Sequence, residues 1–161
     1  MVDSMNTILG IDPGSRITGY GIIRTDGLRH TYVTSGCIVT RGENSAQRLG
    51  QIHQGIVELL RAHTPNEVAV EQVFMHRNAL SALKLGQARG AAIAAVATYN
   101  LSIEEYAPRR IKQTIAGYGA ADKTQVAYMV KQVLQLTGKL ATDAADALAV
   151  AICHAQSRVK P

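Results

Sequence analysis

One mixed β-sheet covered by helices, in a single α/β domain, is the fold class this sequence predicts. Three observations carry it. Three strand-like runs open the chain with only brief turns between them, which implies antiparallel pairing. Two further strand-like runs each follow a helical stretch, and a helical crossover lets a later strand lie parallel to the first. Finally, 161 residues with 47% hydrophobic content suffice for one full core and are too few for two large domains.

Each element has a local justification. Residues 1–6 are polar, and a second methionine stands at position 5, so they read as a flexible leader before a domain over 7–157. Ile8 to Asp12 is an apolar run broken by Pro13-Gly14, which predicts a buried strand with a carboxylate at its mouth. Ile17 to Arg24 and His30 to Val39 predict two more strands, joined at Asp26-Gly27, a dipeptide suited to a tight hairpin turn. The glycines at 14, 19 and 21 introduce a strand rather than a helix, so the dinucleotide-binding pattern fails. They suit turns and close packing.

Leu49, Ile52, Ile56, Leu59 and Leu60 fall on one face at helical period, predicting a helix over 45–63 with Asn44 or Ser45 as N-cap. Thr64-Pro65-Asn66 ends it. Glu67 to Glu71 has the length and apolar centre of a core strand, again ending on a carboxylate. A loop over 72–77 leads to a helix over 78–99, in which Gly86, Gly90 and Ala94 recur every four residues. Small side chains at that spacing let another backbone approach, inside the subunit or across a dimer. Leu101 to Tyr106 predicts the fifth strand, and Pro108 suits the first turn of a short helix that Gly117-Tyr118-Gly119 breaks. Asp122 and Gln125 resemble a capping box opening a helix to about Leu136, closed by Gly138. The last helix, over 143–156, is apolar almost all round. Residues 158–161 form a short basic tail.

The balance of 17 Lys and Arg against 12 Asp and Glu gives a formal charge of +5, which suits a polyanionic partner. No apolar stretch reaches the roughly 20 residues of a membrane-spanning helix, and no leader has the composition of an export signal. A cytoplasmic protein is expected. The two cysteines form no CxxC pair, and the histidines form no zinc-ligand spacing, so any metal would be held by oxygen.

The acids carry the chemical argument. Asp12 and Glu71 end two strands that emerge at one sheet edge if those strands are parallel neighbours. Asp143 and Asp146 stand three apart, on one helical face. Such carboxylates repel unless a proton or cation separates them, and hard oxygen donors select Mg²⁺ or Mn²⁺. Two such ions roughly 4 Å apart activate water and stabilise the leaving oxygen of a phosphodiester. Structural readings stand beside these: an Asx turn for Asp12, a solvated strand end for Glu71, and N-cap and N3 acid for Asp143 and Asp146.

Four segments then resemble one family: Gly10-Ile11-Asp12-Pro13-Gly14-Ser15, Glu71-Gln72-Val73-Phe74-Met75, Ala82-Leu83-Lys84-Leu85-Gly86-Gln87-Ala88-Arg89-Gly90, and Asp143-Ala144-Ala145-Asp146-Ala147-Leu148-Ala149. In order and spacing, from about residue 7 to 155, they look like the bacterial RuvC-type Holliday junction resolvases. The resemblance implies a ribonuclease-H-like fold and a homodimer that resolves four-way DNA junctions by paired symmetric nicks, in recombination and repair. It also implies two Mg²⁺ per subunit, with Mn²⁺ as a substitute, and 5′-phosphate and 3′-hydroxyl ends. Asp12, Glu71, Asp143 and Asp146 match the family's catalytic and metal-binding acids.

The resemblance assigns DNA-facing residues as well. Phe74, the one Phe of the chain, would stack on an unpaired base, although core packing is the commoner fate of a Phe. Lys112 and Lys123 match lysines beside the scissile DNA. His76, Arg77, Arg109 and Arg110 are further candidates for phosphate contact, with solvated surface charge as the plainer reading. Gly86 and Gly90 mark the candidate dimer interface, and cooperation with the RuvA–RuvB branch-migration complex is a family expectation. Two alternatives remain at this point. An actin-like ATPase shares the opening strand but needs a second domain, for which this chain lacks length. A noncatalytic module would bind branched nucleic acid and never cut.

Overall fold

The computed structural model describes residues 4–72 and 78–158. Its strands are β1 (Asn6–Asp12), β2 (Ile17–Thr25), β3 (His30–Val39), β4 (Glu67–Glu71) and β5 (Ile103–Tyr106). Its helices are α1 (Ser45–His63), α2 (Ala79–Ala97), α3 (Pro108–Ala116), α4 (Lys123–Leu134) and α5 (Thr142–Ser157). The strands form one mixed sheet in the order β3-β2-β1-β4-β5. β1 pairs antiparallel with β2 and parallel with β4, β2 pairs antiparallel with β3, and β4 pairs parallel with β5. The expected mixed sheet is therefore observed, with β1 at its centre.

Alternation along the central strands divides the core in two. Ile8, Ile23 and Ala69 face α3, α4 and α5, packing with Ile111, Val126, Val130, Leu148 and Ile152. Leu9, Ile11, Ile22, Val68 and Val70 face α1 and α2, packing with Ile52, Ile56, Leu60, Ala88, Ala92 and Val96. The three inner strands, β1, β2 and β4, are buried on both faces, which explains why β1 and β4 read as continuous apolar runs.

α5 lies unusually close to the sheet. A Cβ on Gly10 would stand 2.1 Å from the Ala147 carbonyl oxygen, and one on Gly19 would stand 2.0 Å from that of Asp143. Only glycine admits the helix at those two points. The close packing read from Gly19 and Gly21 thus has a definite object, since Gly21 faces Leu148 in the same way.

Several local expectations need correction. The β2–β3 connection is not a two-residue turn: Thr25 pairs with His30, leaving residues 26–29 as the loop. Asp26 shapes it by accepting from the backbone N–H groups of Leu28 (2.8 Å) and Arg29 (2.7 Å), and these bonds lower its pKa. α4 ends at Leu134, where Gln135 takes the left-handed conformation (φ 54). Gly138 lies in the turn beyond, and its carbonyl accepts from Lys131 Nζ. α2 stops at Ala97 and β5 starts at Ile103, because Asn100 takes φ 56 between them. The capping box is present in both halves, with Gln125 N–H donating to Asp122 Oδ1 at 2.8 Å and Asp122 N–H to Gln125 Oε1 at 3.0 Å.

At the chain ends, Asn6 is already part of β1. Arg158 Nε donates to Glu67 Oε1 at 3.1 Å, so the first residue assigned to the basic tail is tied to β4. Among the described residues, no helix is long and apolar enough to cross a membrane.

Candidate active site

Topology gathers the acids. β1 and β4 run parallel with Ile11 opposite Val70, so Asp12 and Glu71 follow side by side at the same sheet edge. Both lie an even number of residues from Ile8 and Ala69, which face α5, so their side chains face α5 as well. The first turns of α5 then present Asp143 and Asp146 over that edge. Asp12, Asp143 and Asp146 each offer a carboxylate oxygen, all within 4.8 Å of one another. Glu71 stands outside this trio but lines the same cavity, of about 170 Å³, with Asp12 and Asp146.

The cavity walls account for its electrostatics. Ile111, Val126, Ala149 and Pro108 form an apolar side, and Lys112 and Lys123 a basic one. Burial, followed by the charges of Glu71, Asp146 and Asp143, pushes the Asp12 carboxyl up to about 8, against a smaller opposing effect of Lys123. Burial also raises Glu71, reinforced by Asp146 and opposed by Lys123 and Lys112. Asp146 is raised by burial too, although Lys123 counteracts it with its Nζ 3.5 Å from Oδ2. Two lysines are insufficient to neutralise this group. Clustered hard oxygen donors whose ionisation the protein itself opposes have the chemistry of a divalent-cation site of the Mg²⁺ or Mn²⁺ class.

The structural readings of these acids fare poorly. Thr18, not Asp12, closes the turn after β1: its Oγ1 accepts from Gly14 N–H at 3.3 Å and donates to the Gly14 carbonyl at 3.1 Å. Glu71 is half-buried rather than solvated. The N-cap of α5 is Ala141, with no side-chain cap bond, so Asp143 lies inside the first turn and neither aspartate serves as N-cap.

The remaining candidates separate. Lys112 of α3 and Lys123 at the start of α4 reach the cavity. Arg109 and Arg110 are exposed and do not line it: Arg109 packs beneath Gly119, and the Arg110 guanidinium lies 5.8 Å from the centre of the Tyr106 ring. Phe74, His76 and Arg77 lie outside the described residues. Gly86 and Gly90 are exposed with nothing near the Cβ position of either among the described residues, because α2 packs on α1 through Ala88, Ala92 and Ala95 instead. Packing within the subunit therefore does not use the glycine stripe. Sequence reasoning missed the apolar wall of Ile111, Val126 and Ala149, whose helical spacing signals core alone.

Comparison with known proteins agrees with this geometry. The chain matches the family model described as crossover junction endodeoxyribonuclease RuvC over residues 8–154. It is 58% identical over 158 residues to the crossover junction endodeoxyribonuclease RuvC of Halorhodospira halophila, covering 98% of this chain and 94% of that one. To that of Legionella pneumophila it is 53% identical over 155 residues, covering 96% and 89%. Among solved structures it is similar to Thermus thermophilus RuvC in complex with Holliday junction substrate, with a TM-score of 0.88 and 35% identity over 93% of each chain. The yeast mitochondrial Holliday junction resolvase Ydc2 has a TM-score of 0.65 at 12% identity, over 92% of this chain and 78% of that one, which shows a shared fold. The fold is the ribonuclease-H-like one that the sequence implied. A family match across nearly the whole chain, on a sheet edge that brings Asp12, Asp143 and Asp146 together, places it: the chain belongs to the crossover junction endodeoxyribonuclease RuvC family.

Proposed function

We propose that this chain is a structure-selective endonuclease that resolves four-way DNA junctions by paired nicks, acting in the cytoplasm in recombination and repair. The observation that carries the reading is the convergence of Asp12, Asp143 and Asp146 within 4.8 Å, beside Lys112 and Lys123, in a member of this family. Asp12, Glu71, Asp143 and Asp146 would hold two Mg²⁺ ions, with Mn²⁺ as a substitute. When bound, such ions supply an activated water and charge neutralisation for phosphodiester hydrolysis.

The chain's own residues do the rest. The apolar wall of Ile111, Val126 and Ala149 limits water at the acids and strengthens every charge interaction among them. Lys112 and Lys123 hold the phosphate and offset the negative charge that develops on it during in-line displacement. Lys123 is placed for this by its weak hold on Asp146, since its side chain is 72% exposed and free to swing toward DNA. The products carry 5′-phosphate and 3′-hydroxyl ends.

Phe74 follows Glu71 by three residues and stacks on a base unpaired at the crossover, while His76, Arg77, Arg109 and Arg110 meet phosphates around it. A four-way junction has approximate twofold symmetry, so a homodimer presents one active site to each of two opposed strands. The exposed stripe of Gly86 and Gly90 on α2 is the interface in this reading, and RuvA–RuvB delivers the junction. End-labelled junctions and matched linear duplexes, incubated with Mg²⁺ or EDTA, test the proposal. Paired nicks in junctions alone, abolished by EDTA and by Asp146→Asn, are expected; Mg²⁺-independent cutting, equal cutting of duplexes, or none at all would refute it.

A further inference from the structure

Of the five strands, β2 begins at the edge of the sheet that carries the acids, and β1, β3, β4 and β5 end there. Arg109, Arg110 and Lys112 belong to α3, which follows β5 directly. The β3 side carries a second basic pair, Arg16 before β2 and Arg41 after β3. Their backbones are built into one unit. The Arg16 carbonyl accepts from Thr40 N–H at 2.9 Å, and Thr40 Oγ1, almost fully buried, lies 3.1 Å from both the Ser15 and Arg16 carbonyl oxygens. Arg41 N–H donates to Gln51 Oε1 at 2.7 Å, and Arg48 Nη1 donates to the Gly42 carbonyl at 3.1 Å. Both connections are thus clamped to each other and to α1.

The side chains at this clamp are uncommitted. Arg16 and Arg41 are exposed, and among the described residues neither guanidinium has a hydrogen-bond or ion-pair partner. Glu43, the carboxylate of the same loop, pairs with neither among those residues. Arg48, by contrast, is held by its own loop. Rigid backbone bearing two free guanidinium groups suits a polyanion, because little of the chain's freedom has to be lost on binding.

Resting on the nuclease reading, we propose that Arg16 and Arg41 form a second phosphate-binding element, on the flank of the acids opposite Lys112, which grips the duplex arm leading away from the cleavage point. The spacing supports this. Strands lie about 4.8 Å apart, so the four intervals from β3 to β5 make an edge of about 19 Å, comparable to the width of a duplex. Arg41 stands two intervals from Asp12, about 10 Å, and successive phosphates of one strand advance about 3.4 Å along the helix axis. Projected on the axis of that arm, the contact therefore falls within about three nucleotides of the scissile phosphate, on one side only.

The test compares the full-length wild type with the double variant Arg16→Gln/Arg41→Gln. Junction binding is measured in EDTA over a range of salt, with junctions carrying neutral methylphosphonates at single positions near the nick. Removing two phosphate contacts should reduce the slope of log K against log salt by about 1.8. A methylphosphonate about three nucleotides to one side should weaken wild-type binding and leave the variant's unchanged. An unaltered slope, or equal sensitivity of both proteins to that neutral position, overturns the inference while leaving the nuclease reading standing. A wild type with no junction binding overturns both. Thermal melts of the two proteins should agree, since both side chains are exposed; if they differ, single variants Arg16→Gln and Arg41→Gln are read by the same methylphosphonate comparison.

Discussion

Replacing Asp12 by Asn should stabilise the metal-free protein while removing its ability to cut. The Asp12 carboxyl titrates at about 8 in the fold against 3.8 ordinarily. Below pH 3.8 it is protonated whether the chain is folded or not, and it contributes no penalty. Between 3.8 and 8 the unfolded chain ionises it while the folded chain holds the proton, so stability falls through this window and levels off above it. At pH 7 the penalty is about 4 kcal/mol, at roughly 1.4 kcal/mol for each pH unit above 3.8. Solvent reaching the cavity and small shifts of its neighbours reduce this, and about 2 kcal/mol is a fair expectation. Among the described residues the Asp12 side chain accepts no hydrogen bond that Asn would forfeit. For a domain of this length the gain corresponds to about 4–8 °C in Tm. The assay is thermal melting in EDTA at pH 4 and pH 8. The variant should melt several degrees above wild type at pH 8 and with it at pH 4. Added Mg²⁺ should then raise wild type more than the variant, because binding to the folded state alone is stabilising. A variant that melts at or below wild type at pH 8 would refute the electrostatic account of the site.

Further outcomes follow from the packing and from the DNA-facing residues. Gly19→Ala drives a methyl group into the Asp143 carbonyl and should cost about 1–3 kcal/mol in urea unfolding, with cleavage lost in the surviving fold as α5 moves away from Asp12. A variant that cuts normally would show that α5 placement is not critical. Gly90→Arg puts a long charged side chain on an exposed stripe whose Cβ positions meet nothing among the described residues, so sedimentation should report a monomer with an unchanged melting temperature. An unchanged dimer would move the interface elsewhere. Phe74→Ala should slow junction cleavage by about 5- to 150-fold, from a stacking contact of about 1–3 kcal/mol, and leave melting unaltered. Equal rates would remove Phe74 from the site.

Much of this site was legible from period alone. Asp12 and Glu71 could be assigned to one sheet edge because each ends an apolar run and a helix intervenes, and both point toward α5 because strand parity is strict. Asp143 and Asp146 share a face through helical spacing. What sequence reasoning could not reach were contacts between distant segments. Nothing near Gly19 announces that the Asp143 carbonyl lies where its side chain would be, and nothing near Gly86 or Gly90 says that α1 takes the opposite face of α2. The ends of α4 and α2 were misplaced because Gln135 and Asn100 adopt left-handed conformations that glycine more often supplies, so Gly138 drew the boundary too far. The exposed guanidinium groups of Arg16 and Arg41 were invisible for a related reason: their significance lies in Thr40 joining two loops that are far apart in the chain.

The central claim is that folding gathers these carboxylates into a divalent-cation site. The most direct measurement is anomalous diffraction from crystals soaked in saturating Mn²⁺. The account predicts a manganese peak among the oxygens of Asp12, Asp143 and Asp146, absent from the same crystals of Asp12→Asn. Full manganese occupancy elsewhere, with none at these three residues, would contradict it.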